Sequence, residues 1–176
     1  MPTIFSHAIF AAVAGKAGIK KSVSARFWVL TAVCAMIPDA DVLLSAERGS
    51  MFAHRGFTHS VFFALLFGGL AAFLAHKSLK PEISSGRLFI FFSLATFSHP
   101  FLDMLTDGGS GVALLAPFSR ERFFFPWRPI EVSPIGMGFF SARGLDVILS
   151  EIIWVWLPAI LIFVLASIIR RLRKTK

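Results

Sequence analysis

The chain has 176 residues, 56% of them hydrophobic and only 16% charged, with a formal net charge of +8. Soluble domains carry about 25% charged residues, so the mean hydropathy of +0.74 excludes that class and leaves a single domain, residues 1–176, with lipid as its solvent. The basic pI near 10.6 does not indicate nucleic acid, because five of the last seven residues, RRLRKTK, are Lys or Arg flanking an apolar stretch.

Taken in order, Ile4 to Ala14 is a brief apolar segment, either a short span or a re-entrant helix. It lacks the basic n-region and cleavage site of a signal peptide. A second span is predicted from Arg26 through Ile37 toward Leu44, a third from Ser60 to Ala75, and a fourth from Leu88 to about Thr106. Cys34, the single cysteine, lies in an apolar run and is expected to pack as a small hydrophobe. Residues 107–149 form a long connection. Its glycines and prolines oppose one regular helix. Its aromatic residues (among them Phe118, Phe123, Phe124, Phe125, Trp127, Phe139 and Phe140) predict a seat at the membrane interface, over the bundle. Ser150 to Ile169 has the length of a full crossing, with Pro158 as a kink that membrane helices tolerate. The expected fold class is all-α: an integral membrane bundle of four or five transmembrane helices with a long aromatic outer loop.

Charge orients the bundle. With five spans, Lys16, Lys20, Lys21, Arg26, Lys77, Lys80, Arg87 and the five basic residues of the tail share one side. That side is cytoplasmic by the positive-inside rule, which puts the C-terminus inside. Of the ten acidic residues only Glu82 falls there, and of the five histidines only His76. The remaining His and Asp/Glu residues gather toward the opposite, outer face.

Three stretches carry chemistry. In SHPFLDMLTDGG, His99 and Asp103 are four residues apart and share a helix face. An imidazole and a carboxylate so placed can hold one metal ion, zinc above all; Asp107 is expected to continue that face. In IPDADVLL, Asp39 and Asp41 follow Pro38. They can share a cation, one can orient a histidine that binds it, or Pro-Asp can simply start a helix. In HRGFTHS, Gly56 favours a loop that leaves His54 outside the helix and His59 in its first turn, with Thr58 as cap. Arg55 is suited to a carboxylate or to a substrate phosphate. His7 reads equally as a buried, hydrogen-bonded histidine or as a ligand. Glu151 and Asp146 begin the last span and can close a ligand set or pair with Arg55 or Arg143. GGSG at 108–111 reads only as a flexible turn.

His7, PDxD at 38–41, HRGxTHS at 54–60, SHxxLDxxTxxG at 98–109, and the APF and FPWRPI that follow together resemble the YdjM-like family, bacterial inner-membrane proteins described as metal-dependent hydrolases. The resemblance covers nearly the whole chain. It implies a metal set of His7, Asp39, His59, His99 and Asp103, with Asp41, His54 and Arg55 close by.

The expected activity is hydrolysis of an ester or phosphoester of a membrane lipid or lipid-linked substrate at the periplasmic face. One or two divalent ions, zinc first among them, would activate water. Asp41 or His54 would act as general base or orient the water, and Arg55 would hold an anionic group. The rival expectation is a non-enzyme, with a structural metal site or a role in ion or proton transport.

Overall fold

The computed structural model describes residues 1–19, 23–43, 46–47, 50–79, 83–134 and 136–173. Lys20, Lys21, Arg48, Lys80, Glu82, Lys174 and Lys176, which enter the charge pattern, lie outside the described residues, as does Leu44. Among the described residues the fold is all-α and is built on five helices: α1 (Ile4–Gly18), α2 (Ala25–Met36), α3 (Val61–Leu79), α4 (Ser85–Asp103) and α5 (Ala142–Leu172). Thr3 caps α1 by accepting from the Ser6 amide, and Ser24 caps α2 by accepting from the Phe27 amide. Each satisfies a donor that a first helical turn leaves open. α2 stops two residues before Pro38, which has no N–H to continue the ladder, and the chain tightens into a 3-10 turn over Ile37–Leu43. A second 3-10 turn, Phe57–His59, leads into α3. There Ser60, rather than Thr58, caps by accepting from the Phe63 amide.

Among the described residues two helices are long and apolar enough to cross a membrane: α3, over Val61–Ser78, and α5. This corrects the expectation of four or five full spans. At 1.5 Å per residue the 15 residues of α1 extend about 22 Å and the 12 residues of α2 about 18 Å, short of a hydrocarbon core of roughly 30 Å. α4 has the length, with 19 residues, but Ser93, Thr96, Ser98, His99 and Asp103 dilute its apolar character. The predicted span from Ser150 to Ile169 is the middle of a 31-residue helix that already begins at Ala142. Within it Ile152–Trp156 form a π-helical turn directly ahead of Pro158, and both features bend helices.

Successive helices run in opposite directions, so the starts of α1, α3 and α5 meet the ends of α2 and α4. At the far end of the bundle the Arg170 guanidinium donates to the carbonyls of Lys16 and Ala17 at 3.2 and 3.3 Å. Between the two ends lie mostly small side chains, Ala11, Cys34, Ala35, Ala71, Ala72, Ala75 and Ala95, filled out by Phe27, Leu88 and Phe92. Small residues let helix backbones approach. At Gly68 the approach is so close that a Cβ would stand 2.4 Å from Ser93 Oγ. Cys34 is buried and unpaired, as expected. Leu66, Phe73, Leu161 and Ile168 face outward, an apolar surface of the kind that lipid or a partner covers.

The chain from Met104 to Ser141 is irregular apart from two isolated bridges (Thr106 with Ile130, Val112 with Phe123) and a 3-10 turn, Gly136–Phe139. It folds back over the ends of α2, α3 and α4. Phe118 packs on Phe62, Phe125 on Phe101 and Trp127 on Trp154, with ring centroids 5.7, 5.5 and 4.8 Å apart.

Glu151 holds α1 against α5. It is fully buried and accepts from the Thr3 amide, from the Thr3 hydroxyl at 2.7 Å and from the Ser6 hydroxyl at 2.6 Å. Trp156 Nε1 donates to Ser6 Oγ at 2.7 Å. Glu151→Ala would strand these donors away from water and is expected to cost roughly 3 kcal/mol, seen as a lower unfolding midpoint in detergent. An unchanged midpoint would show that the tie carries no stability.

Candidate metal centre

Four side chains from three pieces of chain converge where the helix ends meet. Asp39 comes from the 3-10 turn after α2, His59 from the turn before α3, and His99 and Asp103 from the last turn of α4. Each offers one ligand atom, and these atoms all lie within 4.8 Å of one another. His59 Nε2 is 3.4 Å from Asp103 Oδ2 and 3.6 Å from Asp39 Oδ1. His99 Nε2 is 3.1 Å from Asp39 Oδ1 and 3.9 Å from Asp103 Oδ2. Four ligands held at 2.0–2.1 Å around one tetrahedral zinc stand about 3.3–3.4 Å apart, so these separations fit the edges of a single coordination shell. His7 lies beside the four: it stacks on His99, ring centroids 3.6 Å apart, and its Nε2 is 3.7 Å from the other oxygen of Asp103.

Proton bookkeeping shows what the cluster lacks. His99 Nδ1 is 2.7 Å from the Ala35 carbonyl, which can only accept, so Nδ1 carries the hydrogen and Nε2 of the neutral ring presents a lone pair. That lone pair faces a carboxylate oxygen. His59 repeats the arrangement, with Nδ1 at 3.1 Å from Asp41 Oδ2 and Nε2 toward Asp39 and Asp103. Lone pairs facing carboxylates without water repel unless a positive centre lies between them. The same place collects buried atoms with no hydrogen-bond partner: both nitrogens of His7, Nε2 of His59, Oδ2 of Asp39 and Oδ1 of Asp103. A donor set of imidazole nitrogen and carboxylate oxygen, preoriented and unsatisfied, fits a divalent cation.

The electrostatics point the same way. Burial opposes charge on Asp39, but the imidazoles of His99 and His59 overcome it and hold the carboxyl well below its ordinary range. Asp41 is likewise disfavoured by burial and lowered further than that by His54, His59 and Thr58. Burial opposes a cation on His59, yet Asp103, Asp39 and Asp41 raise it to about 10. The field at this point favours positive charge, whether a proton or a metal ion.

Asp41 and Arg55 brace this centre. Asp41 Oδ2 accepts from the Thr58 hydroxyl at 2.6 Å and from the Arg55 amide at 3.2 Å, while Oδ1 meets His54 Nδ1 at 2.7 Å. Asp41 therefore fixes the His59 ring, the arrangement in which a carboxylate orients a metal-binding histidine. His54 is the partly exposed member, its side chain 28% accessible. Of its two expected partners, a carboxylate or a substrate phosphate, Arg55 meets a carboxylate. In place of an open fork for a substrate anion, its guanidinium is buried. It meets Asp103 Oδ2 at 3.1 Å and donates to Thr106 Oγ1 and the Gly108 carbonyl, each at 2.9 Å. The Arg55 backbone adopts φ 65°, a conformation rare for a bulky residue outside functional sites. Gly109, at φ +93°, permits this seat, since a Cβ there would stand 2.6 Å from Arg55 Nη1.

The acidic residues farther along do not join the cluster. Asp107 is exposed, outside α4, and accepts from the Val132 amide at 2.8 Å. Arg143 pairs with Glu131 at 2.8 Å, Glu151 belongs to the α1–α5 tie, and Asp146 is exposed.

The family model for the YdjM inner membrane protein matches residues 1–174. The chain belongs to that family. It is 38% identical over 166 residues to the inner membrane protein YbcI of Escherichia coli (strain K12), an alignment spanning 92% of this chain and 95% of the relative. No solved structure matches it. In this YdjM-family chain some contributors carry no signal in sequence. The Ala35 carbonyl that sets the His99 tautomer is backbone, and Gly109 sits in a stretch that reads as a mere turn. Thr58 could have been suspected, since it adjoins His59 in HRGFTHS; its hydroxyl serves Asp41 instead of a helix end.

Proposed function

We propose that this inner-membrane protein is a metal-dependent hydrolase that cleaves an ester or phosphoester of a lipid or lipid-linked substrate at the periplasmic face. The observation that carries the reading is the pair of histidines whose Nδ1 atoms are spent on Ala35 and Asp41 while their Nε2 atoms face two carboxylates. Asp39, His59, His99 and Asp103 would hold one ion, and His7 extends the set toward a second along the free oxygen of Asp103. The donor types suit zinc. A bound divalent cation supplies the charge that makes water a nucleophile near neutral pH.

The remaining roles belong to this chain's own side chains. His54, anchored through Nδ1 on Asp41 and partly open to solvent, is the group suited to accept a proton from water. Asp41 orients both His54 and His59. Arg55 holds Asp103 in position and seals the floor of the site. The periplasmic assignment is supported by the basic residues of the opposite end of the bundle, Lys16, Lys77, Arg87, Arg170 and Arg171 among them, read by the positive-inside rule.

Transport draws no support. Among the described residues every buried His, Asp, Glu and Arg side chain lies at the cluster end of the bundle, and deeper in, the Thr31 and Thr96 hydroxyls donate to carbonyls of their own helices. A closed structural metal site fits less well, because Asp39 also lines an open cleft.

Elemental analysis of the detergent-purified protein is expected to find about one to two equivalents of zinc. Chelation should abolish hydrolysis of a panel of lipid phosphoesters and esters, and added zinc should restore it. A protein that takes up no transition metal even on reconstitution would sink the proposal.

A further inference from the structure

Beside the metal cluster the start of α1, the 3-10 turn after α2 and the segment before α5 enclose a cleft of about 290 Å³. Its walls include Ile4, Phe5, Val42, Pro134 and Phe139, and Asp39 is the one acidic or basic side chain among its lining residues. That residue is a member of the metal cluster, and its Oδ2 is buried without a partner. The cleft thus runs from an apolar mouth to a polar end that is shared with the candidate centre.

The mouth is dressed for lipid. Phe5 is exposed, and so are Leu43, Met137 and Phe140, each the chain neighbour of a lining residue. A soluble substrate would gain nothing from such a rim, whereas the bilayer would cover it and feed an amphiphile sideways into the cleft. Size limits the guest. Sites that bury small ligands run from about 300 to 1,000 Å³, so this cleft stands at their lower end and takes one chain, not a two-tailed lipid.

We propose that this cleft receives the single apolar tail of a membrane amphiphile and directs its polar head toward Asp39. The proposal rests on the hydrolase reading for what becomes of the head, and it narrows the substrate class to lipids that present one chain. The tail site itself needs no metal.

The test uses the full-length protein in phosphatidylcholine nanodiscs, with a lysophosphatidic acid carrying a diazirine near the end of its chain. After irradiation, labels are mapped by peptide mass spectrometry. Labelling is expected on the peptides that hold Ile4–Phe5, Val42 and Phe139. Unlabelled long-chain lysophosphatidic acid should compete, and glycerol phosphate, the same head without a tail, should not. Val42→Trp and Ser133→Phe, which fill the cleft, should lower labelling about tenfold with metal content unchanged. Leu66→Trp, on the outward face of α3, should leave it unaltered. If a filled variant fails to fold, the competition in the unmodified protein decides. Labels confined to outward residues such as Leu66, Phe73 and Leu161, indifference to the filling substitutions, or equal competition by glycerol phosphate would each overturn the tail site. Because labelling and metal content are read separately, the tail site and the hydrolase reading can fail independently.

Discussion

His99→Ala is expected to lower zinc affinity roughly a thousandfold and to bring hydrolysis to background. Loss of a group that merely orients a ligand costs about 10–100-fold in metal affinity, and His99 would itself be a ligand. It offers Nε2 to the cluster, takes its orientation from the Ala35 carbonyl and carries the stacked His7 ring. Asp41→Asn gives the intermediate result. It weakens the acceptor on His59 Nδ1 without removing a first ligand, so its loss should fall within that 10–100-fold range. His76→Ala, at the far end of the bundle beside Ser85, should change nothing. The measurement is zinc competition against a chromophoric chelator on proteins checked for an intact unfolding transition. An equal effect of all three substitutions would mean that fold, not ligation, is being read. No effect of His99→Ala would remove the centre.

The second large effect concerns stability. Asp103→Leu leaves the buried Arg55 guanidinium without its carboxylate, and breaking a buried pair from one side costs about 3–5 kcal/mol. Asp103 is fully buried and Arg55 is 1% accessible, so water cannot take over. Arg55→Met alone should cost less, because Asp103 keeps His59 as a neighbour at 3.4 Å. The double substitution should recover at least half of the loss of Asp103→Leu, since similar-sized apolar side chains remove both charges at once. Equilibrium unfolding of the metal-free protein in mixed detergent and SDS micelles reads all four corners of the cycle. Strictly additive losses would show that the two side chains do not support one another.

The same pair marks a limit of what the sequence reveals. HRGFTHS announced polar side chains but not their directions. Arg55 could have opened toward a phosphate; instead a positive φ and the bare Gly109 turn it inward onto Asp103. Asp107 looked like a continuation of the His99–Asp103 face, yet the helix ends at Asp103 and the chain swings out to Val132. Glu151 looked like a ligand and is a strut. Spans differ from expectation for a related reason: hydrophobicity alone does not tell where a helix stops, and α2 ends just ahead of Pro38, while α4 has the length but carries polar side chains at its end.

By itself the sequence determined the membrane class, the ordered motifs and the gathering of His and Asp at one end. Helices that alternate in direction bring odd starts and even ends to the same face whatever their exact packing. Only the tertiary structure decided who meets whom. His59 finds Asp41 across 18 residues of chain, Arg55 finds Thr106 across 51, and Glu151 finds Thr3 across 148. Contacts over such separations depend on helix rotation and on single backbone dihedrals. A rotation of one residue carries a side chain about 100° around the helix, and residue types do not encode that angle.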